Sequence, residues 1–334
     1  MPSVSAFIFR FRFEWDAAVT TRKTTPRRSN TPRRLRAETL ETRRVMAAAV
    51  DLSADGLLVI EGTAENNRIW VSQSRSGERL RVSIDGRTAD FPAANISLMK
   101  IFAGAGNDAV RVSRRVEIPT QIFGGDGNDR LAAGSGPTLI EGGDGRDRIR
   151  GGAGVNVLFG GAGNDRIVGG ASVDYIIGGA GNDILRGGGG DDWIFGDATN
   201  SLPEGETDPL EYARANSDVN RGNDIIHGGR GNDMVFAGHG NDRIRGGVGN
   251  DFLHGGGGND RIRGDRGRDE LVGGAGSDDL RGGLGADVIR ARDGEVDVIF
   301  ADRLDELFVD DIDRIVRRDR GDSTESGDLT TASV

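Results

Sequence analysis

The chain has 334 residues, and 55 of them are Gly, about 16% against roughly 7% in an average protein. With only 8 Pro and no Cys it is neither a collagen nor a disulfide scaffold, and it offers no thiolate ligand or nucleophile. Residues 1–45 carry a net +7 and the remainder −17, giving −10 overall, so the acidic body attracts cations and repels nucleic acid. No apolar run approaches the roughly 18 residues of a membrane-crossing helix, which excludes a pore-former that inserts its own helices.

Residues 1–49 read as a disordered basic segment dominated by Arg, Thr, Ser and Pro. The apolar stretch at 5–9 is broken by Arg10 and Arg12 and is too short for a secretory signal; Met46 is an alternative start. Residues 38–48 (ETLETRRVMAA) resemble the Leu-Glu-x-Arg element near the N-terminus of some large bacterial exported proteins. Alternation then begins: Leu80, Val82 and Ile84 point one way and Arg81, Ser83 and Asp85 the other, between turn signals at 75–77 and 85–86. With further strands at 57–61, 67–73 and 96–102, residues 50–122 are expected to form a β-rich cap.

From residue 124 the chain repeats every nine residues, starting with GGDGNDRLA at 124–132. The sixth position holds Asp129, Asp147, Asp165, Asp174, Asp183 and Asp192, then, after an insertion, Asp224, Asp233, Asp242, Asp251, Asp260, Asp269, Asp278 and Asp287. Thr138 and Asn156 are the two exceptions, and every eighth position is Ile, Leu or Val. A low-complexity linker would not keep acid and aliphatic in phase. The chain here resembles the RTX nonapeptide-repeat family, G-G-x-G-x-D-x-U-x with U a large aliphatic, over 124–290 and in a looser copy at 103–111. That resemblance implies an all-β fold, a right-handed parallel β-roll in which two repeats make one coil and calcium ions lie between stacked turns. The expected blocks are 123–196 and 222–290, separated by an inserted loop at 197–221.

The residues argue for the same chemistry. Gly at positions one, two and four permits tight turns with positive φ, and x-U-x makes a short strand with U inward. Stacked coils place Asp near Asp about 4.8 Å apart, a ladder that needs a counterion. Calcium takes 6–8 carboxylate and carbonyl oxygens, magnesium demands a tighter octahedron, and zinc prefers His or Cys, which do not recur in these turns. The bland alternative is a metal-free solenoid whose Asp side chains only cap turns. The fourteen Asp are therefore the candidate calcium ligands, with a weak or empty site expected between Thr138 and Asn156.

No H-E-x-x-H or G-x-S-x-G occurs, and His227, His239 and His254 all lie inside repeats, so no enzyme is expected. Carboxylate-only chemistry stays open. With alternate repeats on two sheets, one outward face presents Arg130, Arg148, Arg150, Arg166, Arg186, Arg243, Arg245, Arg261, Arg263 and Arg281. This is either a solvated, charge-balancing face or a polyanion site. The other presents Val157, Phe159, Tyr175, Ile177, Trp193, Phe195, Met234, Phe236 and Phe252, an apolar surface expected to contact a protein or cell-surface partner unless Leu202, Leu210 and Tyr212 of the insertion cover it.

Residues 291–317, with Asp297, Asp305 and Asp313 eight apart, read as capping coils without metal turns. The tail at 318–334 is polar and resembles uncleaved C-terminal export signals of type I secretion. Together these features predict a secreted or surface-exposed calcium-binding roll, structural or adhesive in role. The alternative is the repeat-bearing part of a secreted exoenzyme or toxin.

Overall fold

In the computed structural model, residues 48–197 and 221–317 are described. The basic N-terminal segment, most of the insertion with Leu202, Leu210 and Tyr212, and the C-terminal tail lie outside them. Among the described residues, apart from one 3₁₀ turn at Ala93–Asn95, all regular structure is β. The strands fall into two sheets, one of 13 strands and one of 14, and successive strands alternate between them through the repeats. Within each sheet neighbouring repeat strands are parallel and in register, as where Ile149 lies beside Leu131 and Ile167. The result is a parallel β-solenoid, the roll implied by the nine-residue period.

Burial explains why the period is strict. Every eighth-position aliphatic, from Leu131 to Ile289, is no more than 2% exposed, and together they fill the space between the sheets. At about 1.5–3 kcal/mol for each fully buried aliphatic, this single column supplies much of the driving force for folding. A one-residue slip would turn the whole column outward.

The sheets continue into residues on both sides of the repeats. Leu57–Thr63 pairs in parallel with Leu98–Ala105, and Arg68–Gln73 with Ala109–Val112, so coils precede the first clear nonapeptide. Arg79–Ile84 and Arg87–Pro92 form an antiparallel extension at one edge of the larger sheet, and Ala49–Leu52 closes the other sheet antiparallel to Leu57–Thr63. Across the insertion, Trp193–Phe195 pairs directly with Met234–His239, and Ile184–Gly189 with Ile225–Arg230. The insertion thus leaves and re-enters within one turn, and the alternation of repeats between sheets is preserved.

The two outward faces differ as their sequences do, with one correction. The arginine face is largely exposed, but the apolar face is not an open surface. Phe159 is 5% exposed, Tyr175 3%, Phe195 2% and Phe236 4%, with Val157 and Ile177 in the same cluster and Trp193, Met234 and Phe252 partly buried against it. Tyr175 stacks on Trp193 at 5.6 Å and Phe195 on Phe236 at 5.4 Å between ring centroids. These side chains form a second core outside the sheet sandwich, separate from the column of aliphatics. Accordingly Phe236→Ala should lower stability in a calcium-containing denaturant melt by about 3 kcal/mol, as for a core aromatic. A change within about 0.5 kcal/mol, typical of a free surface, would show the face to be open.

Candidate metal centre

Most repeat turns bend through two glycines with left-handed backbone. In the turn that ends at Asp147, Gly143 has φ 109° and Gly145 φ 132°, conformations a side chain resists. Position one needs Gly for a different reason: a Cβ on Gly142 would collide with Oδ2 of Asp147, and the same holds for Gly160 with Asp165 and Gly264 with Asp269. A Cβ on each of these three would also strike the carbonyl of the next coil, so the first glycine makes room for the carboxylate and for close coil stacking and does not supply a positive φ.

All fourteen sixth-position Asp are buried, with 0–2% exposure. Their two oxygens do different things. Oδ1 accepts the backbone N–H of the Asp one coil earlier, as in Asp129 to Asp147 (2.7 Å), Asp147 to Asp165 (2.8 Å) and, across the insertion, Asp183 to Asp224 (2.8 Å). On the opposite edge the chain runs from Asn156 through Asp174, Asp192, Asp233, Asp251 and Asp269 to Asp287. Oδ2 of every one of the fourteen is buried with no hydrogen-bond partner. The capping role is therefore real, but it uses only half of each carboxylate.

Desolvation is the largest cause raising these carboxyls, ahead of repulsion between neighbours. It lifts Asp129 and Asp147 to about 6, Asp165, Asp174 and Asp183 to about 7, Asp192 and Asp260 to about 8 and Asp224 to about 9. Burial, more than the ladder's like-charge spacing, is what a cation must offset.

The unpartnered Oδ2 atoms suit a hard cation. Among the described residues no three carboxylate or imidazole groups gather at one point. A turn could thus hold an ion with one or two carboxylates and main-chain carbonyls, a donor set of oxygens that suits calcium. A bound divalent ion would supply the positive charge that keeps Oδ2 ionised.

The turns are unequal. Thr138 donates its hydroxyl to the Gly136 carbonyl, and Asn156 accepts from the Gly152 N–H and donates to Gly154 and Asp174, so neither has a free oxygen of the Oδ2 kind. Gly134, Gly136, Gly152, Gly154 and Gly170 also lack the positive φ of most other turns. Asp174 keeps a free Oδ2, yet sits at the end of one of these differently shaped turns.

Among the described residues three further Asp share the buried, unpartnered oxygen: Asp108, Asp197 and Asp297. The signal for Asp108 is its sixth place in the looser copy at 103–111. Asp297 accepts from the Asp278 N–H, so the first of the closing coils continues the ladder. The ladder ends where both oxygens are used: Asp305 accepts from Asp287 and Asp302, and Asp313 from Asp297 and Asp310. A second ladder is invisible in the nine-residue pattern. Fifth-position Asn side chains accept the N–H of the coil after, as Asn182 does from Asn223 and Asn223 from Asn241.

A pair of substitutions separates the ion's role from the cap's. Asp165→Asn keeps the acceptor for the Asp147 amide but removes the buried charge. It should raise the calcium midpoint about ten-fold or more while leaving the chelated chain more stable. Asn156→Ala should lower stability with or without calcium and leave the midpoint unchanged. A calcium titration followed by circular dichroism distinguishes the two.

The raised carboxyls also set a pH dependence. A carboxyl whose folded pKa lies above its unfolded value of 3.8 binds its proton more tightly when folded, so in chelator stability is greatest below that value. It is lost as the pH rises through about 6 to about 9. With calcium the trend should invert, because protons compete with the ion for Oδ2. Less β structure in chelator at about pH 4.5 than at about pH 7.5 would contradict this sign.

Comparison with protein families gives a consistent picture. Residues 121–140, 141–175, 168–202, 218–253 and 254–289 match the family described as RTX calcium-binding nonapeptide repeat (4 copies). Residues 31–50 match an element described as Planctomycete extracellular, and no curated protein matches the chain. The nine-residue repeats, their split carboxylates and these five matched stretches identify 121–202 and 218–289 as RTX calcium-binding nonapeptide repeats, folded here as a parallel β-roll.

Proposed function

We propose that this chain works outside the cell as a structural and adhesive module that calcium folds. The fourteen sixth-position Asp, Asp129 to Asp287, are the proposed side-chain ligands, joined by turn carbonyls. One observation carries the reading: fourteen buried carboxylate oxygens without a partner, which cost free energy unless a cation meets them. Ion affinity then becomes folding free energy. Where calcium is scarce the chain stays loose, and where it is abundant the roll closes. The match at residues 31–50 supports an extracellular site of action. The role is one of binding, without catalysis by the chain itself.

Because the apolar face is packed, the adhesive surface is sought elsewhere on the roll. Far-UV circular dichroism of the full chain tests the switch. Millimolar calcium should convert a largely unordered spectrum to a β spectrum, and equal magnesium should not. The same β content in excess chelator at neutral pH would end the proposal.

A further inference from the structure

The arginine face is the strongly basic surface of the described roll, and part of it is a groove. Its volume is about 1090 Å³, and seven arginines line it without a single Asp or Glu. Arg130, Arg148 and Arg166 stand in register on adjacent strands, one row along the roll axis. Arg111 and Arg150 flank Ala132 in a second row two residues along the strands, and Arg114 and Arg115 close one end.

All seven are exposed, and among the described residues none forms an ion pair. They do not balance the neighbouring Asp129, Asp147 and Asp165, whose oxygens face the turn interior and the backbone. At the head of the second row, Trp70 is 56% exposed and Arg111 lies 6.0 Å from its ring centre. The wall formed by Gly151, Gly152 and Ala153 belongs to the turn that ends in Asn156, where the carboxylate ladder is interrupted. That part of the wall therefore carries no acid at its sixth position.

We infer that this groove binds a linear acidic polysaccharide laid along the roll axis, its carboxylate or sulfate groups on the arginine rows and one sugar ring against Trp70. The rows repeat at the strand spacing of about 4.8 Å, with rows roughly 6.6 Å apart, so charges are met singly along an extended chain. Duplex DNA offers phosphates about every 3.4 Å on each strand, and its dense charge meets an otherwise acidic body of −17. A flexible chain with separated charges and apolar ring faces suits the surface better. The inference rests on the calcium-folded roll, since the rows exist only when coils stack.

The test is calorimetric titration of the full chain in calcium with chondroitin sulfate, neutral dextran and single-stranded oligothymidylate. Chondroitin sulfate should bind, weaken with added salt, and exceed both others. The triple variant R130Q/R148Q/R166Q should bind about ten-fold more weakly, and Trp70→Ala should also weaken binding. Removing three exposed hairpin arginines instead, R75Q/R79Q/R87Q, should change it little. Each variant is first shown to keep the wild-type calcium midpoint by circular dichroism.

A calcium-folded chain that ignores chondroitin sulfate overturns the groove and leaves the calcium reading standing. So does equal loss in the hairpin variant, which would mean diffuse charge, or tighter binding of the oligonucleotide, which would mean a nucleic-acid surface. A chain with no β structure in calcium overturns both readings.

Discussion

A carboxylate oxygen buried without a partner is the constraint on which the rest of this molecule depends, and it recurs at every sixth position that holds Asp, from Asp129 to Asp287. Only Thr138 and Asn156 interrupt it, on one edge of the roll. At each of these Asp one oxygen ties adjacent coils together and the other has no hydrogen-bond partner. The glycines set the scale of the problem. A chain so rich in Gly loses more backbone entropy on folding than most, and the desolvated carboxylates add to that cost. The column of aliphatics from Leu131 to Ile289 opposes both, and in the proposed function ion binding supplies what remains.

Departures from the repeat are where the roll acquires individuality. The insertion interrupts a turn, yet Asp183 still donates its amide to Asp224, so strand pairing and ladder pass across it unchanged. Asp265 replaces a second-position glycine and is held at φ 73°, a backbone conformation that Asp tolerates better than most residues. The turns ending at Thr138, Asn156 and Asp174 have another backbone shape and border both the packed aromatic face and the arginine groove.

Much of this was legible in the sequence because a strict period has few structural solutions. The phase of Asp and aliphatic implied the two sheets, the inward column and the Thr138–Asn156 defect, and the alternation survived the insertion as the pattern required. Three things were not legible. A hydrophobic pattern shows which way Phe195 and Phe236 point, but not whether anything packs over them. Composition explains a glycine equally well by φ or by space, so the clearance that Gly142 gives Asp147 appeared only in three dimensions. The role of Asn at position five depends on which neighbouring coil its amide meets, and no single repeat contains that information.

The hydrogen bonds of the carboxylate ladder also give the roll a direction. Each buried sixth-position amide donates toward the C-terminal neighbour, as those of Asp147, Asp165 and Asp224 do. Loss of an N-terminal coil therefore bares a carboxylate oxygen, which water or an ion can satisfy. Loss of a C-terminal coil bares an N–H, which water can satisfy but a cation cannot. Asp305 and Asp313, with both oxygens occupied, act as the terminus of this polarity. The two ends of the array are therefore chemically different, an acceptor-rich face toward the N-terminus and a donor-bearing one toward the C-terminus.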